Sequence, residues 1–105
     1  MTIFIVATDA LFADPNLATD AIWRAGGAGT GTVVRVVTRR PDQVIGFGDS
    51  RAVLPTLLID VRRSEVPEPA TGDTVEIDGE LFEVIAAPII DSVRLMWTCE
   101  AAPPA

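Results

Sequence analysis

The chain has 105 residues, 49% of them hydrophobic, which suffices for one compact domain with its own core and is too apolar for disorder throughout. With 15 acidic against 8 basic residues the formal charge is −7, which argues against a generic nucleic-acid binder, because that function needs a basic footprint. There is no His and a single Cys, Cys99, which excludes a His-ligated zinc site, a Cys-based metal cage and an internal disulfide.

The chain opens on "MTIFIVA", which is apolar but short and lacks the basic flank of a signal peptide. No apolar run approaches the roughly 20 residues needed to cross a membrane as a helix. "TDALFADPNLATD" offers Thr8 or Asp9 as a helix start, with Leu11 and Phe12 following and Pro15 stopping any helix early. Residues 1–19 therefore read as an extended arm with one short helical turn, of the kind that a partner orders.

"ATDAIWRA" reads as a short strand running into the glycine cluster "GGAGTG". That cluster fits neither phosphate-loop template: Gly31 is followed by Thr32 and Val33, not by Lys and a hydroxyl residue, and no G-x-G-x-x-G register exists. The β-branched "TVVRVVT" that follows predicts a strand, so the glycines make a hairpin turn or loop. In that strand Val34 and Val36 share one face, expected to point into the core.

"RRPDQVIGFGDSRAVLP" is bounded by prolines, broken by Gly46 and Gly48, and has neither a helical nor a two-residue period. A loop of this length in a small domain is functional or disordered, so residues 41–54 form the leading contact element. "PTLLIDVRRSEV" predicts the next strand, with Leu57, Ile59 and Val61 on one face. Thr74 to Ile77 and Glu80 to Ala86 form a hairpin around Asp78-Gly79, which places Val75 opposite Phe82, with Val84 on the same face and Ile77 also in the core. "PIID" reads as a turn. "SVRLMWTCE" closes the set with Val93, Leu95, Trp97 and Cys99 alternating, and the Pro-containing 101–105 is expected to fray. The sum is an all-β chain: a small, mostly antiparallel barrel or sandwich of about five or six strands over residues 20–100, preceded by the arm.

The polar residues select no reaction. Asp73, Glu76, Asp78, Glu80 and Glu83 lie on strands or in a two-residue turn, which cannot wrap an ion, so they read as a solvated or partner-facing acidic surface. Ser50, Ser64 and Ser92 lack both a nucleophile-elbow motif and a His partner. Trp23 and Trp97 read as core residues, and Cys99 as a buried structural thiol that fits a reducing compartment. The doublets Arg39-Arg40 and Arg62-Arg63 are solvated, paired with local acids, or engaged across subunits. No catalytic residue, cofactor or metal is expected, and the chain does not read as an enzyme.

The ordered set "TVVRVVTRRPDQVIGFGDSRAVLPTLLIDVRRSEV", "GDTVEIDGELFEV" and a terminal strand with Trp97 resembles the head–tail joining proteins of long-tailed phages, also called head completion or stopper proteins. Similar sequences occur in prophages and gene transfer particles. The resemblance covers residues 33–100. It implies a β-barrel subunit of a hexameric ring in the virion neck, assembled in the host cytoplasm. The ring would bind the portal or adaptor on the head side and a tail terminator or tail tube protein on the other, with DNA passing unbound through its channel. It also implies that the arm and the loop make the contacts, so the expected interface residues are Leu11, Phe12, Arg39, Arg40, Asp42, Val44, Ile45, Phe47, Asp49 and Arg51. The alternatives left open are a tail terminator, a tail completion protein or another small virion barrel, and, outside viruses, a binding module or small enzyme.

Overall fold

The structure is a computed structural model, and it describes residues 3–40 and 56–104. A helix, α1 (Ile3–Ala13), precedes seven strands: β1 (Thr19–Arg24), β2 (Thr32–Arg39), β3 (Leu57–Arg62), β4 (Thr74–Ile77), β5 (Glu80–Val84), β6 (Ile89–Ile90) and β7 (Met96–Ala102). All pairings are antiparallel, in the order β3-β2-β1-β4-β5-β7-β6, and an added β3–β7 pairing closes six of the strands into a barrel. Of the barrel or sandwich expected from the alternating strands, the fold is the barrel, with β6 added outside its six closing strands. Closure removes most open strand edges, leaving a shape that does not invite strand addition.

The core follows from two-residue alternation. Val34 and Val36 of β2, Leu57, Ile59 and Val61 of β3, Val75 and Ile77 of β4, Phe82 and Val84 of β5, and Cys99 and Ala101 of β7 all point inward and are buried. Val75 stands opposite Phe82, as the two-residue turn predicts. Asp78 and Gly79 both take positive φ, 53° and 80°, the conformation that lets a two-residue turn match the strand twist. The glycine cluster forms a short 3₁₀ turn, Ala25–Gly27, and returns the chain antiparallel into β2. Gly31 is required there: at φ 85° a Cβ would meet Ile22 Cγ2 at 2.5 Å.

Four local expectations change. The arm holds a helix of 11 residues, about three turns, starting before Thr8 and Asp9, because Phe12 packs against the barrel and stabilises a segment whose sequence signals only a late start. It still ends just ahead of Pro15. "PIID" contains β6, whose Ile89 and Ile90 pair with Thr98 and Trp97 and cover the part of β7 that β5 does not reach. The last strand begins at Met96, not at Val93. Arg94 sits at φ 60° and the Asp91 carboxylate accepts the N–H groups of Leu95 and Met96 at 2.8 and 3.2 Å, so residues 92–95 form a turn. Finally, β7 continues through Ala102, past the expected boundary, since its prolines stand only at 103 and 104 and Ala101 still pairs with both Leu57 and Val84.

Two carboxylates expected at the surface or unremarked are buried inside this frame. Asp73, read as part of a solvated face, accepts hydrogen bonds from the Trp23 indole at 3.0 Å, from Gly26 N–H at 2.8 Å and from Ala70 N–H at 3.0 Å. Asp60 accepts from Arg39 Nε at 3.1 Å, Arg39 NH2 at 2.8 Å and the Thr98 hydroxyl at 2.7 Å. Each buried acid is satisfied, which is what lets a short barrel tolerate it.

Candidate functional site

The helix is apolar nearly all round, with Asp9 its strongest polar interruption beside Thr8. A helix of that kind is stable only when most of its surface is covered. Here one side is covered. Phe12 is fully buried, and its backbone carbonyl accepts Arg35 Nε at 3.0 Å. Arg62 lies over the Phe12 ring at 5.4 Å from its centroid and bonds Asp9 at 3.1 Å and Glu65 at 2.9 Å. Burial pulls the Arg62 pKa down, but the hydrogen bonds to Glu65 and Asp9 outweigh it, so this guanidinium stays charged. Arg35 and Arg62 come from the outer faces of β2 and β3, which fixes α1 against that wall of the barrel.

The other side of α1 is open. Ile3 is 76% exposed, Phe4 58% and Val6 52%, and Leu11 is exposed beside them. Scattered apolar residues are ordinary on a surface, but a contiguous set on one helix face marks an interaction site. Next to it, Ile5, Thr8 and Asp9 of the helix, Arg62, Arg63 and Ser64 at the end of β3, and Arg94 and Leu95 ahead of β7 line a cleft of about 320 Å³. Three of the chain's 8 basic residues meet there, in a protein whose net charge is −7. Arg63 donates to the Arg94 carbonyl at 3.3 Å, and neither guanidinium has a carboxylate partner among the described residues.

The expected interface residues divide. Leu11 is on the exposed helix face, whereas Phe12 is wholly inside and its side chain anchors the helix. Arg39 is bound to Asp60, and that bond holds its pKa above the ordinary value, so its guanidinium serves the β2–β3 wall. Arg40 is exposed at the end of β2, near Asp78 and Glu80 of the hairpin turn. Asp42, Val44, Ile45, Phe47, Asp49 and Arg51 lie outside the described residues, as does the rest of 41–55. Among the expected core residues, Leu95 is half-buried in the cleft instead of on a strand, and Trp97 is half-buried and packed against the core. Arg63 was named in the Arg62-Arg63 doublet, with a contact across subunits as one of its readings, whereas Ile3, Phe4, Val6 and Arg94 were not singled out by sequence. The signal available for the helix face was the apolar run "IFIVA", which reads as helix only once Phe12 is seen to dock.

Among the described residues no group of three or more acids and thiols is placed to hold a metal ion. Burial, and then the charges of Asp73 and Asp60, push the Cys99 thiol up to about 12, far from a reactive thiolate. What the surface can do is bind, through an apolar helix face flanked by guanidinium groups.

Comparison with known proteins agrees with a binding role. A family model described as Phage Head-Tail Attachment protein matches residues 1–101, nearly the whole chain. No curated protein matches it.

Proposed function

This chain belongs to the phage head–tail attachment protein family, and from that premise we propose that it acts as a ring subunit in the neck of the particle. Membership makes it a structural component of the virion, working between head and tail parts. The finer reading is that several copies, six in the ring the resemblance implies, stand beneath the portal or its adaptor, close the packed head and present the surface on which the tail docks.

The family match over residues 1–101 carries this reading. The exposed face of α1 supports it, because a barrel closed on itself, with the two-residue β6 at the open end of its strand order, offers chiefly side chains on its outer wall for binding. In a ring, several such modest contacts act together, so each subunit needs no large patch. The net charge of −7 also suits a channel that lets duplex DNA slide without sticking. On this reading α1, in the arm 1–19, and residues 41–54 make the contacts to neighbouring proteins.

Deleting the gene tests the proposal directly. The expected result is DNA-filled heads and finished tails that do not join, with joining restored by the added protein. Normal tailed particles from a clean deletion would refute it.

A further inference from the structure

Around the closed barrel the strands run β1-β2-β3-β7-β5-β4, so β2 stands opposite β5 and β3 opposite β4. The two opposite walls differ in chemistry. The β2–β3 wall carries α1, with Ile3, Phe4 and Val6 exposed, and the cleft holding Arg63 and Arg94. The β4–β5 wall carries Glu76 and Glu83 on its outer face and Asp78 and Glu80 at its turn. Arg24 pairs with Glu76 at 3.1 Å; Asp78, Glu80 and Glu83 have no ion pair among the described residues. Within that acidic wall Leu81 is 40% exposed, and Ile85 just beyond the strand is 46% exposed.

We propose that the α1 face and the Arg63–Arg94 cleft of one copy receive the acidic β4–β5 wall of a second copy, with Leu81 and Ile85 meeting the apolar helix. This rests on the ring reading above and gives its subunit contact. Charge complementarity argues for the occupant: Arg63 and Arg94, without an ion pair among the described residues, lie on one wall. Asp78, Glu80 and Glu83, likewise without one, lie on the opposite wall, where Arg40 is the exposed cation near Asp78 and Glu80. Because the two surfaces are different and face away from each other, the contact is head-to-tail. It therefore propagates from copy to copy and closes into a ring when the rotation per subunit allows, whereas a two-fold dimer would need one surface to match itself.

The test is charge reversal and rescue in particles whose own gene copy is replaced by the variant. Arg63→Glu with Arg94→Glu is expected to lower joined particles by about 10-fold or more, since like charges then face each other. Glu80→Arg with Glu83→Arg should do the same, and all four changes together should restore joining. Thermal melting of each purified variant checks that it folds. A second measurement uses the pair Arg94→Cys and Glu80→Cys in one chain, which should give a ladder of disulfide-linked copies in intact particles; Cys99 is buried and does not compete. Wild-type joining after either reversal in a folded variant, no rescue by the fourfold change, no ladder, or cross-links to a head or tail protein in place of a second copy would each overturn the contact. These outcomes are separable from failure of the neck role itself: that role fails if the deletion leaves tailed particles, whereas the contact alone fails if the deletion blocks joining and the reversals do not.

Discussion

Asp73 Oδ2 accepts the indole N–H of Trp23 at 3.0 Å, a bond between residues 50 positions apart that ties the end of β1 to the start of β4. The same carboxylate takes Gly26 N–H and Ala70 N–H, so one acidic side chain satisfies three donors where the glycine turn meets the barrel. Replacing Asp73 with Ala leaves those donors buried or half-buried without a partner. The expected loss is about 2–4 kcal/mol, read by chemical denaturation with Trp fluorescence, and Asp73→Asn should lose clearly less because it keeps one acceptor oxygen. A loss below the scatter expected for surface changes would mean that water replaces the carboxylate at little cost.

Arg39 is a case where fold and interface compete for one side chain. Its side chain is 52% exposed, yet it grips Asp60, whose side chain is only 8% exposed. Arg39→Ala removes the only cation paired with that acid among the described residues, leaving Thr98 as its hydrogen-bond donor. Discounted for the exposed end of the pair, the expected cost is about 1–2 kcal/mol. Asp60→Asn in the Arg39→Ala background should recover part of it, because the uncompensated charge is gone. If Arg39→Ala leaves the unfolding midpoint unchanged while joining fails, Arg39 belongs to an interface instead.

The outer face of α1 should behave in the opposite way. Ile3→Asp, Phe4→Asp and Val6→Asp change residues that touch little of their own barrel, so stability should move by no more than about 0.5 kcal/mol. Joining should fall sharply, because each change places a charge in an apolar contact. Phe12→Ala is the control: it removes the buried anchor, so amide hydrogen exchange along Ile3–Ala13 should accelerate with or without a partner. Full joining activity in the Asp variants would take the helix face out of the contact.

These contrasts follow how far the fold could be read beforehand. The hairpin around Asp78-Gly79 was legible because a two-residue turn fixes register, and with it the facing of Val75 and Phe82. The inward sets of β2 and β3 were legible for the same reason of alternation. Long-range partners were not. Asp73 reads as one more acid in an acidic hairpin, because only the closed barrel brings Trp23 and Gly26 to it. Ile89 and Ile90 read as part of a turn, since a two-residue strand has no period. The candidate docking surface was half visible: the arm was expected to make contacts, but which of its residues face outward depends on Phe12 being the one that docks.

Cys99 gives the protein an unusually clean pH response. Burial first, and then the nearby carboxylates of Asp73 and Asp60, raise its pKa from 9.0 to about 12. The sequence has no Tyr, and all 8 of its basic residues are Arg, so no other side chain has an ordinary value in that window. Above pH 9 the unfolded chain loses the thiol proton while the folded chain keeps it. The folded state then binds more protons, and stability must fall as pH rises. The contribution is fully present below 9 and is lost between 9 and 12, with a slope approaching about 1.4 kcal/mol per pH unit. Denaturation midpoints measured at pH 8, 9, 10 and 11 should trace that decline. In Cys99→Ala, which starts lower because a buried side chain is truncated, the midpoint should stay level over the same range. An equal decline in Cys99→Ala would assign the alkaline sensitivity to the backbone and arginine pairs instead of the thiol.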